Sequence, residues 1–344
     1  MRRSDYLEKA VFEGLRRRWR SRPSLVDQLL ARAPLEPPLP VTPGFVRVGT
    51  IQMTYHQAAD PAMWIEQCQA LTQAARRAGA GVVIFPALAP LGLIGALGDS
   101  DLVAALVAPP GDQANAQRLA TYACLYPACY RLYHRTFSFL AHRYGLTIAT
   151  GGLPAPRQPV LTPVGDVFAS DGRRRLHRAA TRPGRLLGSA ELEAYPVGEA
   201  RITALAGDEG RRPEIATALR AAAVDLVAAM PLAGPGALDD SAAALAAASG
   251  LYVVRSCLVG TPAAWRGRSG VYAPPELTLT GTGLLAKTVS DDAEEVLVTT
   301  LDLAARRRST SASTIGQPVD AAGGAWASAS RVSPSGSVTP RSEH

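Results

Sequence analysis

The chain has 344 residues and a formal net charge of +7, enough length for one large domain or two small ones and for a substantial core. Its 47% hydrophobic and 19% charged content excludes a fibrous or wholly disordered chain. No apolar run reaches the roughly 18 residues of a membrane-spanning helix. The charge is uneven: residues 1–36 carry nine basic and five acidic side chains, residues 304–344 carry five and two, and residues 37–303 carry 22 of each. The body is therefore neutral, which disfavours a nucleic-acid groove across it. Of the basic residues only Lys9 and Lys287 are lysines. The first residues, MRRSDYLEKAVFEGLRRRW, hold no apolar stretch of the secretory kind. Cys68, Cys124, Cys129 and Cys257 show neither metal spacing nor a disulfide framework, so a reduced, cytoplasmic compartment is expected.

Residues 4–20 read as an amphipathic helix, with Leu7, Val11, Leu15 and Trp19 every four residues and Arg16, Arg17, Arg18 and Arg20 opposite. Ser24 is expected to cap a second short helix carrying Leu25, Val26, Leu29 and Leu30. PLEPPLPVTPG (34–44) is a proline-rich linker. An alternating region follows. FVRVGTIQM (45–53) is a strand, 61–79 a helix, GVVIFP (81–86) a buried strand, and 113–144 mostly helix, interrupted near Pro127. LTIATGG (146–152) is a strand, and PVGDVFASDGRRRLHR (163–178) a hairpin around Asp171-Gly172. Strands at 200–207, 224–231 and 251–260 enclose helices from Pro213 to Ala223 and from Ser241 to Ala248. SGVYAPPELTLTG (269–281) reads as a strand pair and 294–303 as the last strand. From about 309 the Ser/Thr/Gly/Ala/Pro-rich tail is expected to be disordered. This alternation predicts a layered α/β sandwich.

Seven segments, VRVGTIQM, AGAGVVIFPALAPLG, YGLTIATGG, DVFASDGRRRLHRAATRP, ITALAGDEGRRPEIATALRAAAVDLVAAMP, GLYVVRSCLVG with WRGRSGVYAPP, and EEVLVTTLDLAARR, resemble in order the motifs of the nitrilase, or carbon–nitrogen hydrolase, superfamily. The resemblance covers about residues 45–308. It implies an αββα sandwich of the nitrilase type, with residues 1–40 as a helical N-terminal extension and linker and 309–344 as a tail. It also implies a homodimer, with the helix after Pro213 and the segment from Cys257 to Trp265 at the interface.

Family members transfer acyl groups from amides and nitriles using a Cys nucleophile, a Glu base and a Lys that stabilises the oxyanion. The chemistry needs all three: a thiol is a strong nucleophile once a base takes its proton, and the charge developing on the carbonyl oxygen needs a fixed positive group. Carried over by motif, the base position is Ala87, after Phe85-Pro86. The lysine position is Ala179, after Leu176-His177-Arg178; a one-residue slip gives Ala180. The nucleophile position, six before Pro213-Glu214, is Gly207. The three catalytic side chains are absent.

Candidate substitutes are Asp208, Glu209 and Arg178. For the two acids the plainer reading is pairing with Arg211 and Arg212 near a helix start, and a guanidinium does not replace an ammonium position for position. Lys9 falls in the extension and Lys287 in a late loop. Cys68, Cys124, Cys129 and Cys257 read as packing. His56, His134, His142 and His177 have no metal spacing, GTGLL (281–285) reads as a turn, and GRRR (172–175) as a solvated loop. No metal or cofactor is expected. The leading expectation is a catalytically inactive nitrilase-like homologue with a structural, regulatory or small-ligand-binding role. The alternative is a divergent amidase-type hydrolase with a relocated site. Residues 4–22 are expected to dock on the protein's own body or its dimer mate, or on a partner protein or an anionic membrane.

Overall fold

The computed structural model describes residues 23–56, 60–95, 113–153, 163–180, 192–231, 241–260, 265–315 and 329–332. The expected 4–20 helix lies outside the described residues. Helix α1 (Pro23–Leu30) buries Val26 and Leu30 completely. It begins at Pro23, so Ser24 sits inside the first turn instead of capping it; proline suits that position because its missing amide would have had no helical partner.

Strand β1 (Phe45–Thr54) carries a run of six buried residues, Val48–Met53, as a strand covered on both faces requires. Helix α2 (Pro61–Arg77) follows. Asp60 caps it by accepting from the Ala62 amide at 2.8 Å, and Trp64, Ile65, Cys68, Leu71 and Ala75 form its buried stripe. Strand β2 (Val82–Ile84), the short helix α3 (Leu91–Gly95) and the long helix α4 (Gln113–Arg143) come next. Helix α4 runs through Pro127, where an interruption was expected. An internal proline costs about 3 kcal/mol. Here aromatic packing flanks it: Tyr122 meets Tyr126 edge-on at 5.8 Å, and Tyr126 stacks on Tyr130 at 5.5 Å.

Strands β3 (Thr147–Gly152), β4 (Val164–Phe168) and β5 (Arg174–Ala179) complete one half of the first sheet, with β4 and β5 forming the expected hairpin. Strands β6 (Tyr195–Val197) and β7 (Ala200–Ala206), a 3-10 turn (Gly207–Arg211), helix α5 (Pro213–Ala221), β8 (Leu226–Met230), helix α6 (Ser241–Ser249) and β9 (Tyr252–Arg255) build the second sheet and its helical cover.

The strand expected at 251–260 is two strands. After β9 the chain crosses to the first sheet, where β10 (Leu258–Val259) pairs in parallel with β1. Hydrogen bonds fix the crossing: the Ser256 hydroxyl donates to the Ile51 carbonyl at 2.5 Å, and the Met53 amide donates to the Cys257 carbonyl at 3.1 Å. Strand β11 (Gly270–Tyr272) pairs with β12 (Leu284–Lys287), not with a strand inside 269–281. Pro274 and Pro275 have no amide to give a ladder, so the chain turns through a 3-10 segment first. Lys287 therefore closes a strand rather than sitting in a loop. Strand β13 (Glu295–Asp302) pairs antiparallel with β1 along eight positions. Helix α7 (Leu303–Ile315) runs past the boundary expected near 309, and β14 (Ala329–Val332) pairs with β13. The rest of the tail lies outside the described residues.

The first sheet has the order β14-β13-β1-β2-β3-β4-β5, with β10 also on β1; the second has the order β12-β11-β9-β8-β7-β6. Their inner faces pack through β3 and β4 against β7 and β8, helices α2 and α4 cover the first sheet, and α5 and α6 cover the second. This is the αββα sandwich. Among the described residues no helix is long and apolar enough to cross a membrane.

Residues 31–44 strap across the helical face of the first sheet. The Glu36 amide donates to the Arg143 carbonyl at 2.7 Å, and Arg76 binds the Glu36 carboxylate and the Pro37 carbonyl, both at 2.7 Å. The proline-rich segment before β1 thus packs on the helices of the first sheet. Glu36→Ala leaves the buried Arg76 short of its anion and should cost roughly 1–2 kcal/mol, between the ranges for exposed and buried pairs. A lowered melting temperature together with faster proteolytic cutting within 31–44 is the expected readout, and unchanged cutting would count against the strap.

Candidate active site

The three positions assigned by motif to the family's catalytic groups lie where β2, β5 and β7 end. Ala87 follows β2 and is buried. Its Cα lies 2.4 Å from where a Cβ on Gly151 would stand, so only glycine lets residue 87 close over the inner face of β3. Gly151 pairs with Gly165, which pairs with Arg178. A Cβ on Gly165 would come 2.8 Å from Ala204 of β7, so the sheets nearly touch here. Gly207 follows β7 at φ +70, a left-handed conformation that costs other residues about 1 kcal/mol or more. Close packing at Gly151 against Ala87 and at Gly165 against Ala204 thus narrows the gap between the sheets beside these positions.

Strand β5 alternates strictly. Leu176 and Arg178 are buried; Arg175, His177 and Ala179 are exposed. The motif-assigned lysine position, Ala179, thus faces away from the second sheet, and the residue that reaches it is Arg178. Its guanidinium makes a two-pronged bond to Glu209, Nη1 to Oε2 at 2.7 Å and Nη2 to Oε1 at 2.6 Å. Nη1 also donates to the Ala204 carbonyl at 3.1 Å. Glu209 in turn accepts from the Ala206 amide at 3.3 Å, which closes the 3-10 turn after β7. Arg178 is 8% exposed and Glu209 3%. Of the three candidate substitutes, these two are therefore bound to each other. The third, Asp208, is exposed, and its contact with Arg211 is 3.9 Å. The expected pairing with Arg211 and Arg212 holds for Asp208 with Arg211 and is corrected for Glu209: Arg212 binds Glu214 at 2.8 Å, and Glu209 turns inward because β5 presents a cation there.

The cysteines are placed as packing residues. Burial and the nearby Glu294 carboxylate push the Cys68 thiol well above its usual range, and burial pushes Cys129 up to about 12, so neither thiolate forms readily near neutral pH. Cys257 is buried at the crossing between sheets rather than on a strand. The side chain of Cys124 lies outside the described residues.

One cluster was not singled out from the sequence. Asp166, fully buried on β4, accepts from the Tyr133 hydroxyl at 2.7 Å and from His177 Nδ1 at 2.6 Å, with Arg174 at 3.5 Å. Arg174 also bonds the Tyr130 hydroxyl. The hairpin's arginines are thus not all solvated: Arg174 caps this cluster, while Arg175 binds Asp171 at 2.5 Å. The buried carboxylate fixes the tautomer of a half-exposed imidazole. Burial and the Arg174 charge hold His134, on the adjacent helix, below the usual imidazole range. No group of three or more metal-ligating side chains occurs among the described residues.

A two-sheet sandwich with helices on both outer faces and these strand ends is the nitrilase-type fold. The model of the carbon-nitrogen hydrolase family matches residues 47–309, and the chain belongs to that family. Among solved structures, a double mutant of the amidase from Nesterenkonia sp. AN1 in complex with acrylamide is 18% identical, with a TM-score of 0.54 over 80% of this chain and 99% of that one. A single mutant of the same amidase, showing Michael addition of acrylamide at the active site cysteine, is also 18% identical, with a TM-score of 0.53 over 78% of this chain and 99% of that one. At that identity the likeness establishes the fold. No curated protein matches the sequence.

Proposed function

We propose that this chain is a carbon-nitrogen hydrolase-family pseudoenzyme, with an internal ion pair in place of the acyl-transfer site and a structural, regulatory or small-ligand-binding role, exercised as the expected homodimer. The carrying observation is the Arg178–Glu209 pair, closed between the sheets where motif order puts the catalytic groups. Nucleophile, base and oxyanion stabiliser act as a unit, so the loss of even one removes most of the rate, and a site without all three keeps little of it. The Nesterenkonia amidase has an active site cysteine; the corresponding motif position here is Gly207.

The purified chain should release no ammonia above background from acetamide, acrylamide, simple nitriles or ureido acids. Turnover abolished by Asp208→Ala or Glu209→Ala would overturn the proposal. The second reading, an amidase-type hydrolase with a relocated site, is favoured by one observation, the Asp166–His177 pair. Turnover that survives Glu209→Ala but is lost in His177→Asn would select it.

A further inference from the structure

We infer that the cavity between β5 and the start of β7 is a binding site for a zwitterionic α-amino acid with an apolar side chain. The cavity holds about 440 Å³, within the range of about 300–1,000 Å³ that small-molecule sites occupy. Leu176 of β5 and Leu192, 2% and 4% exposed, give it an apolar floor, which the half-buried Tyr195 at the start of β6 extends. Its charged walls are Arg175 of β5, Glu193 ahead of β6, and Arg201 of β7. Arg201 stands at the opening of β7 and Gly207 follows its far end, roughly 20 Å away along the strand. Filling the cavity therefore does not call on the acyl-transfer groups that Ala87, Ala179 and Gly207 replace.

The charges on the walls select the ligand. Arg175 is already matched, by Asp171 at 2.5 Å. Arg201 and Glu193 are both exposed, and neither side chain enters an ion pair among the described residues. One cavity thus presents a cation and an anion that do not neutralise each other. A ligand bearing only a carboxylate suits Arg201 and is repelled by Glu193; a simple amine does the reverse. A molecule with both charges satisfies both, its carboxylate on the Arg201 fork and its ammonium on Glu193. The floor then buries the apolar side chain. Backbone bonds hold both residues in place. The Arg201 amide donates to the Asp225 carboxylate and its carbonyl accepts from the Asp225 amide, each at 2.8 Å, while Arg306 binds Asp225 in turn. The Glu193 carbonyl accepts from the Thr203 hydroxyl at 2.7 Å. A scaffold set in advance lowers the ordering cost of binding.

The test titrates the full chain by calorimetry with L-leucine and with L-phenylalanine, each beside two analogues: the amine lacking the carboxylate, and the acid lacking the ammonium. At least one amino acid should bind one-to-one, about ten-fold or more tightly than either of its analogues. Two substitutions of exposed residues then separate the charges. In Arg201→Met the amino acid should bind no better than its amine while keeping its advantage over the acid. In Glu193→Gln it should bind no better than the acid while keeping its advantage over the amine. Unchanged melting temperatures in both variants are expected and tie the losses to the cavity. Amidase turnover is followed separately, and its presence would not alter this crossed pattern. Three results would each overturn the inference: no saturable binding of either amino acid at about 10 mM, binding that neither substitution weakens, which places the ligand elsewhere, or an acid that binds the unaltered chain as tightly as its amino acid, which reduces the cavity to a simple anion site.

Discussion

Arg178→Ala should lower stability by about 3–5 kcal/mol, the range for stripping one partner from a buried ion pair. Arg178 loses three bonds that bridge the sheets, two to Glu209 and one to the Ala204 carbonyl. The larger part of the cost is what stays behind. Glu209 is 3% exposed and would be a buried carboxylate without its counter-ion. For a domain of this size each kcal/mol moves the melting temperature by roughly 2–4 °C, so a fall of roughly 6–20 °C is expected in a thermal melt.

The double variant Arg178→Met/Glu209→Gln separates this account from a general loss of packing. It keeps an acceptor for the Ala206 amide and leaves no charge behind, so it should recover about 2 kcal/mol or more of the single-variant loss. A double variant no more stable than Arg178→Ala would show that the cost lies in side-chain volume. The cycle also bears on function, because a pair retained for substrate chemistry would be expected to cost stability where it sits, not supply it.

Much of the fold was legible because its signals are local. The buried run of β1, the stripe of α2 and the Asp171-Gly172 turn each specify an element without reference to anything distant. The misplaced elements fail for two reasons: local packing outweighed a local breaker, or a distant partner decided the element. Helix α4 continues through Pro127, with tyrosine rings in contact along the same helix on either side of it, and the 251–260 run splits where Ser256 bonds to β1 about 200 residues earlier in the chain. The loss of the three catalytic groups could be read from motif order, whereas the direction of Ala179 could not. It depends on the phase of β5, which the partly buried Arg174 and the exposed Arg175 leave ambiguous until the sheet is assembled. The Asp166–His177 pair was within reach. Asp166 lies five residues before Asp171 and His177 five after Gly172, so a tight turn there makes them cross-strand neighbours. The signal for this pair is hairpin register, which metal-ligand spacing does not contain.

Installing the family's three groups, Ala87→Glu, Ala179→Lys and Gly207→Cys, should yield a destabilised protein with no amidase turnover. Each substitution meets a different obstacle. At 87 the carboxylate enters a site 3% exposed, packed over Gly151 with no space left open by a larger neighbour. At 179 the new ammonium points outward beside His177, away from the second sheet, because β5 fixes the alternation. At 207 the cysteine must adopt φ +70, at a cost of about 1 kcal/mol or more, next to a turn already closed by Glu209. The Arg178–Glu209 pair still fills the interface between the positions. A catalytic constellation held roughly 1 Å out of place loses most of its rate, and here one member faces the wrong way. The informative comparison places the lysine where the strand already points inward, Arg178→Lys with Ala87→Glu, Gly207→Cys and Glu209→Gln. Ammonia release from acetamide and labelling of the new cysteine by iodoacetamide would be followed in both proteins. Inward placement should raise the labelling rate above that of the outward variant, since an ammonium near the thiol favours its thiolate. Equal labelling in both, or turnover in the outward variant, would mean that β5 is not phased as described and that Ala179 faces the pocket after all.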